Sequence, residues 1–121
     1  RSDSARPPHP TDTIDALLVP AYPAETIVSA TGAGDTAIAG FLAALLAGGS
    51  LVDAAETGCV AGRNAVTTVD AVSSVQSLQA MNEFRRSASR RSEVTFENST
   101  EWFVRADGAY EHHTIADRRT R

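Results

Sequence analysis

A glycine-rich loop that opens directly into an apolar helix constrains this chain more than any other feature. Residues 29–36 read Ser-Ala-Thr-Gly-Ala-Gly-Asp-Thr, follow a short β-branched run and precede a series of small and apolar residues. This order predicts a strand, a tight turn and a helix N-terminus, where free backbone N–H groups attract anions. We expect Gly32 and Gly34 to adopt positive φ values, which would let a phosphate approach the main chain.

Asp35 stands at the entrance of the predicted helix, and the residues alone leave two interpretations of it open. A carboxylate beside a phosphate site repels the ligand at rest, so Asp35 could be there to accept a proton from a nucleophile. In the second interpretation the glycines form only a turn, and Asp35 caps the helix through its side chain.

Composition excludes several classes of function. A chain of 121 residues has room for one small domain. Its net charge of -4 and its calculated pI of about 5.2 argue against a general nucleic-acid binder. All 11 basic residues are arginine, so a phosphate-binding loop that ends in Gly-Lys cannot be present.

Cysteine content and hydropathy indicate a soluble cytoplasmic chain. Cys59 is the only cysteine, which excludes an internal disulfide and a cysteine-based zinc cluster and suits a reducing compartment. The longest apolar run, residues 37–47, is too short to span a bilayer, and the arginines near the N-terminus precede no apolar signal segment. We therefore expect no membrane partner.

Prolines divide the first part of the chain into a tail and two short strands. Residues 1–13 are polar and proline-rich, which predicts a disordered tail. Residues 14–19 form an apolar run that Pro20 closes, and residues 25–28 are a β-branched run that leads into the glycine loop. Both runs predict strands.

Apolar spacing and capping residues predict three helices. They cover residues 36–47, 51 to about 66, and about 77–84. The first is apolar on nearly every side, so we expect it to be buried. Gly48 and Gly49 would end it, and Ser50 with Asp53 would start the second helix through a variant of the capping box.

Charge and turn signals set the remaining segments apart. The run of arginines and serines over residues 85–92 predicts a solvated linker, although an arm that binds RNA or phosphate is a less favoured alternative. Residues 93–121 form an extension in which Asp107-Gly108 predicts a β-hairpin. His112 and His113 could suggest a metal site, but adjacent strand residues point to opposite faces, which favours a solvated hairpin edge.

Several segments together resemble the C-terminal part of ribokinase-like (PfkB) carbohydrate kinases. The resembling residues are 19–21, 27–36, 39–46, the helix from residue 51, and 65–67. The resemblance covers roughly residues 14–84, about the last quarter of a typical member. It implies an α/β fold, namely the C-terminal portion of a doubly wound sheet with helices packed on it. It also implies ATP-dependent phosphorylation of a sugar hydroxyl.

The family resemblance also assigns roles to individual residues. It makes Asp35 the catalytic base and gives Gly32, Ala33 and Gly34 the backbone N–H groups of an anion hole. Magnesium would arrive with ATP. The nucleotide-binding residues that it implies are Thr31, Gly32, Gly34, Cys59, Gly62 and Asn64, with the segment 59–67 on the adenine side.

The sequence departs from the family pattern at the loop. Ser29 stands where members usually have an acid that helps hold a monovalent cation, so only backbone oxygens of Ser29 and Thr31 could contribute to a K⁺ site. Ala30 replaces the usual threonine or proline, and Asp70-Ala71 stands where Gly-Ala is common. The change at Ser29 argues against cation activation, and Asp70-Ala71 predicts a differently shaped loop at that position.

The resemblance does not extend to the sugar-binding part of the family. Residues 98–101 spell Asn-Ser-Thr-Glu and match the family's magnesium-placing Asn-x-x-Glu string, but they follow the glycine loop instead of preceding it, which indicates coincidence. We therefore expect kinase activity only if a second chain supplies the remaining domain. The alternative is a non-catalytic nucleotide- or phosphate-binding fragment that serves as an assembly module.

Overall fold

The computed structural model describes residues 13–70, 74–88, 92–96 and 101–114. The elements are β1 (Thr13–Leu18), α1 (Ala33–Leu46), α2 (Leu51–Ala65), α3 (Leu78–Ser87), β2 (Trp102–Val104) and β3 (Tyr110–Thr114). Helices and strands are therefore both present, as predicted. The chain divides into two compact units, of which residues 20–92 carry the helices and residues 1–19 with 93–121 carry the strands. Most of the tail predicted over residues 1–13 lies outside the described residues, although Thr13 belongs to β1.

The strands form one three-stranded antiparallel sheet in the order β1-β3-β2. The strand predicted at residues 14–19 is confirmed as β1, and it pairs with β3 from the C-terminal extension. A doubly wound sheet is mostly parallel, with helices as crossovers between its strands. The described strands do not form that arrangement.

The hairpin predicted at Asp107-Gly108 is confirmed. Gly108 has a φ of 90°, and the Arg105 N–H donates to the Ala109 carbonyl at 2.7 Å to close the turn. The prediction that His112 and His113 lie on a solvated hairpin edge is wrong, however, because β3 is the central strand of the sheet. As a result His113 is only 5% exposed, with its Nε2 2.8 Å from Glu111 Oε1.

The two histidines contact different carboxylates. His112 Nε2 lies 2.9 Å from Glu101 Oε1, whereas His113 Nε2 lies 2.8 Å from Glu111 Oε1. Within the described ranges, no group of three or more histidine, cysteine, aspartate or glutamate side chains could hold a metal ion.

The strand predicted at residues 25–28 is wrong. No strand is formed there, and the backbone N–H groups of Val28 and Ser29 both donate to the Val66 carbonyl, at 2.7 and 3.2 Å. A β-branched run becomes a strand only when a neighbouring strand accepts its hydrogen bonds. None of the three described strands pairs with this segment.

The caps between α1 and α2 are formed as predicted. Gly48 has a φ of 94°, and the Gly49 N–H donates to the Ala44 carbonyl at 3.0 Å, which closes a Schellman motif. Ser50 Oγ accepts from the Asp53 N–H at 3.0 Å, and the Asp53 carboxylate accepts from the Ser50 N–H at 3.1 Å. This reciprocal pair is a capping box.

The cap makes stability depend on pH through Asp53. The hydrogen bond from the Ser50 backbone N–H, followed by that from the Arg85 side chain, lowers the pKa of the Asp53 carboxyl below its usual value of 3.8. The ionised carboxylate therefore stabilises the fold above that value, and this stabilisation is lost as pH falls through the lower folded-state pKa.

We accordingly expect Asp53→Asn to flatten the acid end of the stability profile. Urea midpoints measured between about pH 2.5 and pH 6 should fall less steeply on acidification in the variant than in the unmodified chain. Two parallel profiles would show that the Asp53 carboxylate does not contribute to the acid sensitivity.

α1 and α2 pack closely because glycines face the contact. A Cβ added at Gly58 would lie 2.9 Å from the Ala37 carbonyl oxygen, and one added at Gly40 would lie 2.9 Å from the Ala61 Cβ. At Gly62, in contrast, the nearest atom would be at 3.5 Å, an ordinary contact. The core beside this contact consists of Tyr22, Val60, Ala61 and Met81.

These distances predict opposite effects for two similar substitutions. Gly58→Ala should lower the free energy of unfolding by about 1–3 kcal/mol, because the new methyl group meets backbone of the facing helix. Gly62→Ala should be neutral or stabilising, since alanine is the better helix former by about 1 kcal/mol. Urea unfolding of both variants checks this, and equal destabilisation would contradict the close packing at Gly58.

The prediction that α1 is buried on nearly every side is wrong for its outer face. Gly40 and Ala44 are buried, but Ile38 is 60% exposed and Leu46 is 88% exposed, with Leu42 also exposed. The described part of the helical unit therefore covers only one side of this helix. No helix in the described ranges is long and apolar enough to cross a membrane.

The segment predicted as a linker begins inside a helix. α3 is capped by Ser77 and continues to Ser87, so Arg85 and Arg86 lie in its last turn. Arg85 makes ion pairs with Asp53 and Glu56 of α2. The start of the arginine-serine run is thus structured by contacts between helices.

Candidate phosphate and nucleotide site

Gly32 makes the turn that starts α1. It is the N-cap residue, with φ 79° and ψ −2°, so the positive φ expected for it is confirmed. The positive φ expected for Gly34 is wrong, because α1 begins at Ala33, three residues earlier than predicted, and Gly34 is helical. A Cβ at Gly34 would meet no atom within 4 Å, so the space beside it is open.

The backbone N–H groups of this turn differ in availability. The Ala33 N–H donates to the Ala30 carbonyl at 3.2 Å, and the Thr31 N–H donates to Ser29 Oγ at 3.1 Å. Among the described residues, no acceptor binds the N–H groups of Gly32, Gly34 or Asp35. Unbonded N–H groups at a helix start are suited to hold an anion.

Asp35 lies in the first turn of α1 with an exposed side chain. No hydrogen bond or ion pair from the described residues occupies its carboxylate. A capping role would require the carboxylate to accept a backbone N–H, and the N-cap position is held by Gly32 instead. The side chain is therefore accessible to a ligand.

Two cavities of the helical unit meet the first turn of α1. One has a volume of about 670 Å³ and is lined mainly by apolar residues, including Ala33, Gly34, Cys59 and Gly62. The other, of about 430 Å³, is lined by Gly32, Asp35 and Asn64, among others. The predicted site residues are thus divided between two cavities, and Ser29 and Thr31 line neither of them.

A comparison with protein-family models matches residues 14–78 to the pfkB family carbohydrate kinase model. The matched segment is more than half of the chain and contains the glycine loop, α1 and α2. The chain belongs to the pfkB family of carbohydrate kinases. Neither a search of curated proteins nor a search of solved structures finds a match.

Two side chains of the pfkB segment that sequence reasoning did not single out also line these cavities. Arg63 lines the larger one, and its Nη1 donates to Asn64 Oδ1 at 2.9 Å. Gln76 lines the smaller one and accepts from Asn64 Nδ2 at 2.9 Å. The signal for Arg63 in the sequence is its position between Gly62 and Asn64, two residues that the family resemblance implies bind the nucleotide.

Proposed function

We propose that this chain carries the phosphoryl-transfer site of an ATP-dependent carbohydrate kinase. The observation that carries the proposal is the exposed Asp35 carboxylate beside the unbonded N–H groups of Gly32 and Gly34, in a chain of the pfkB family. Asp35 would be the catalytic base. The two amides would hold the terminal phosphate.

The proposed chemistry requires little more than positioning and charge stabilisation. The Asp35 carboxylate accepts the proton of a sugar hydroxyl while that oxygen attacks the γ-phosphorus of ATP, and ADP leaves. The N–H groups at the start of α1 stabilise the charge on the equatorial phosphate oxygens. Ala33 contributes less than predicted, because its N–H already donates to Ala30.

The nucleotide base fits the larger cavity best. Its lining is mainly apolar and includes Cys59 and Gly62, two of the residues predicted on the adenine side. Flat apolar walls suit the faces of a heteroaromatic base. Asn64 lines the smaller cavity, and its side-chain amide is hydrogen-bonded to Arg63 and Gln76. It would therefore position these two side chains and would not contact the base.

The chain would contribute differently to the binding of Mg²⁺ and of K⁺. Magnesium would arrive with ATP and neutralise part of its phosphate charge. For K⁺, Ser29 and Thr31 would offer main-chain oxygens, because neither residue carries the carboxylate that family members usually provide there.

We propose that protein outside the described residues, for example a second polypeptide, completes the sugar site. The helices would then belong to a larger doubly wound domain. Two features of the helical unit support this, namely the exposed outer face of α1 and the unpaired segment at residues 25–28, where Ile27 is exposed. Both would be covered by a sheet that the described residues do not contain.

The test is a coupled assay of ADP release with ATP, Mg²⁺ and a panel of sugars. It is run on the full chain purified together with any polypeptide that accompanies it, and ADP binding is measured by calorimetry on the same preparation. Sugar-dependent ADP release supports the kinase. ADP binding without sugar-dependent release supports the alternative, a non-catalytic nucleotide-binding assembly module, and the absence of binding rejects both.

A further inference from the structure

We infer that Arg63 binds the phosphate chain of the nucleotide, an inference that rests on the proposed function. Arg63 is the only charged residue among the described residues that line the 670 Å³ cavity. A cation in a mainly apolar cavity requires an explanation, because partial burial of a charge costs free energy unless an opposite charge or hydrogen bonds compensate it.

The guanidinium of Arg63 is held in place by three contacts with neutral groups. Its Nε donates to the Pro23 carbonyl at 3.2 Å, and its Nη1 donates to Asn64 Oδ1 at 2.9 Å. Its Cζ lies 4.6 Å from the centre of the Phe84 ring. These contacts fix the position of the cation and compensate part of the cost of its burial, but none of them supplies a negative charge.

No carboxylate within the described part of the chain forms an ion pair with Arg63. Arg85 and Arg105, in contrast, each contact two carboxylates. Moreover, neither of the two hydrogen bonds that Arg63 makes within the described residues uses Nη2. Arg63 is therefore a positioned cation with donor capacity left for an anion.

The neighbouring lining residues indicate which anion. Gly34 lines the same cavity, and its N–H is bound by no described acceptor. A fork of guanidinium N–H groups and a helix-terminal amide are both typical phosphate donors. A nucleotide with its base in this cavity would carry its phosphates between Arg63 and the start of α1.

A structural role for Arg63 makes a different prediction. Arg63 lies in the last turn of α2, where a cation interacts favourably with the helix dipole. That role would lower stability when the charge is removed, and it would affect the binding of every ligand of the cavity equally. Ligands with and without phosphate therefore distinguish the two roles.

The experiment compares the affinities of ADP, adenosine and inorganic phosphate by calorimetry. Arg63→Gln should weaken ADP binding by about tenfold to a hundredfold and change adenosine binding by less than about twofold. Arg86→Gln is the matched control, since Arg86 is exposed and lies in the last turn of α3, and it should leave all three affinities unchanged. Arg63→Lys keeps the charge without the fork and should weaken ADP binding to an intermediate extent.

The other outcomes distinguish failure of this inference from failure of the proposed function. Equal losses for ADP and adenosine, or unchanged ADP affinity in Arg63→Gln, overturn the inference and leave the proposed kinase intact. An unmodified chain that binds no ADP overturns both, and binding of inorganic phosphate that Arg63→Gln does not weaken counts against the phosphate contact. If Arg63→Gln fails to fold, the ratio of ADP to adenosine affinity in Arg63→Lys decides, and an unchanged ratio rejects the inference.

Discussion

Asp35→Asn should lower the sugar-dependent turnover of the chain by about a hundredfold to ten-thousandfold. Asparagine has nearly the same shape as aspartate and is tolerated near a helix start, but its amide cannot accept the proton of the attacking hydroxyl. The affinity for ADP should stay the same or increase, because the substitution removes a negative charge beside the phosphate. The measurements are kcat in the coupled assay and ADP affinity by calorimetry.

Glu25→Gln provides the matched control for this prediction. Glu25 is an exposed acid of the same unit outside the glycine loop, so its neutralisation should leave turnover and ADP affinity unchanged. A loss of ADP affinity in Asp35→Asn would contradict the assignment of Asp35 as a base that acts on the acceptor hydroxyl. The ADP measurement remains decisive even in a preparation without turnover.

The features that were predictable from sequence are those that depend on a few adjacent residues. Gly32 turns the chain because glycine adopts positive φ easily, and Gly48 ends α1 for the same reason. Ser50 and Asp53 cap α2 through bonds that span three residues. Asp35 at the start of a helix follows from the order of residues in a single loop.

Other features depend on partners that a local pattern does not specify. Residues 25–28 have the composition of a strand, yet no described strand pairs with them. The outer face of α1 has the composition of a buried surface, but Leu46 is 88% exposed. His113 is buried because β3 pairs on both of its edges, which no short-range signal at the hairpin indicated.

Arginines show the same limit, because charge alone does not reveal the contacts of a side chain. The run that begins at Arg85 has the composition of a solvated linker, but Arg85 is only 17% exposed. Its Nη2 lies 2.7 Å from Glu56 Oε1 and 2.9 Å from Asp53 Oδ1, and its Nη1 donates to Asn82 Oδ1 at 2.9 Å. The last turn of α3 is therefore joined to α2 through this guanidinium.

Arg85→Ala should accordingly destabilise the chain by about 2–3 kcal/mol in urea unfolding followed by circular dichroism. The substitution removes the guanidinium from Glu56, a carboxylate that is 9% exposed, and from the cap residue Asp53. Arg86→Ala makes the same substitution at the next position of α3, where the arginine is exposed. It should change the free energy of unfolding by less than about 0.5 kcal/mol. If both variants lose equal stability, the effect belongs to helix propensity or net charge, and the ion pairs between α2 and α3 contribute nothing measurable.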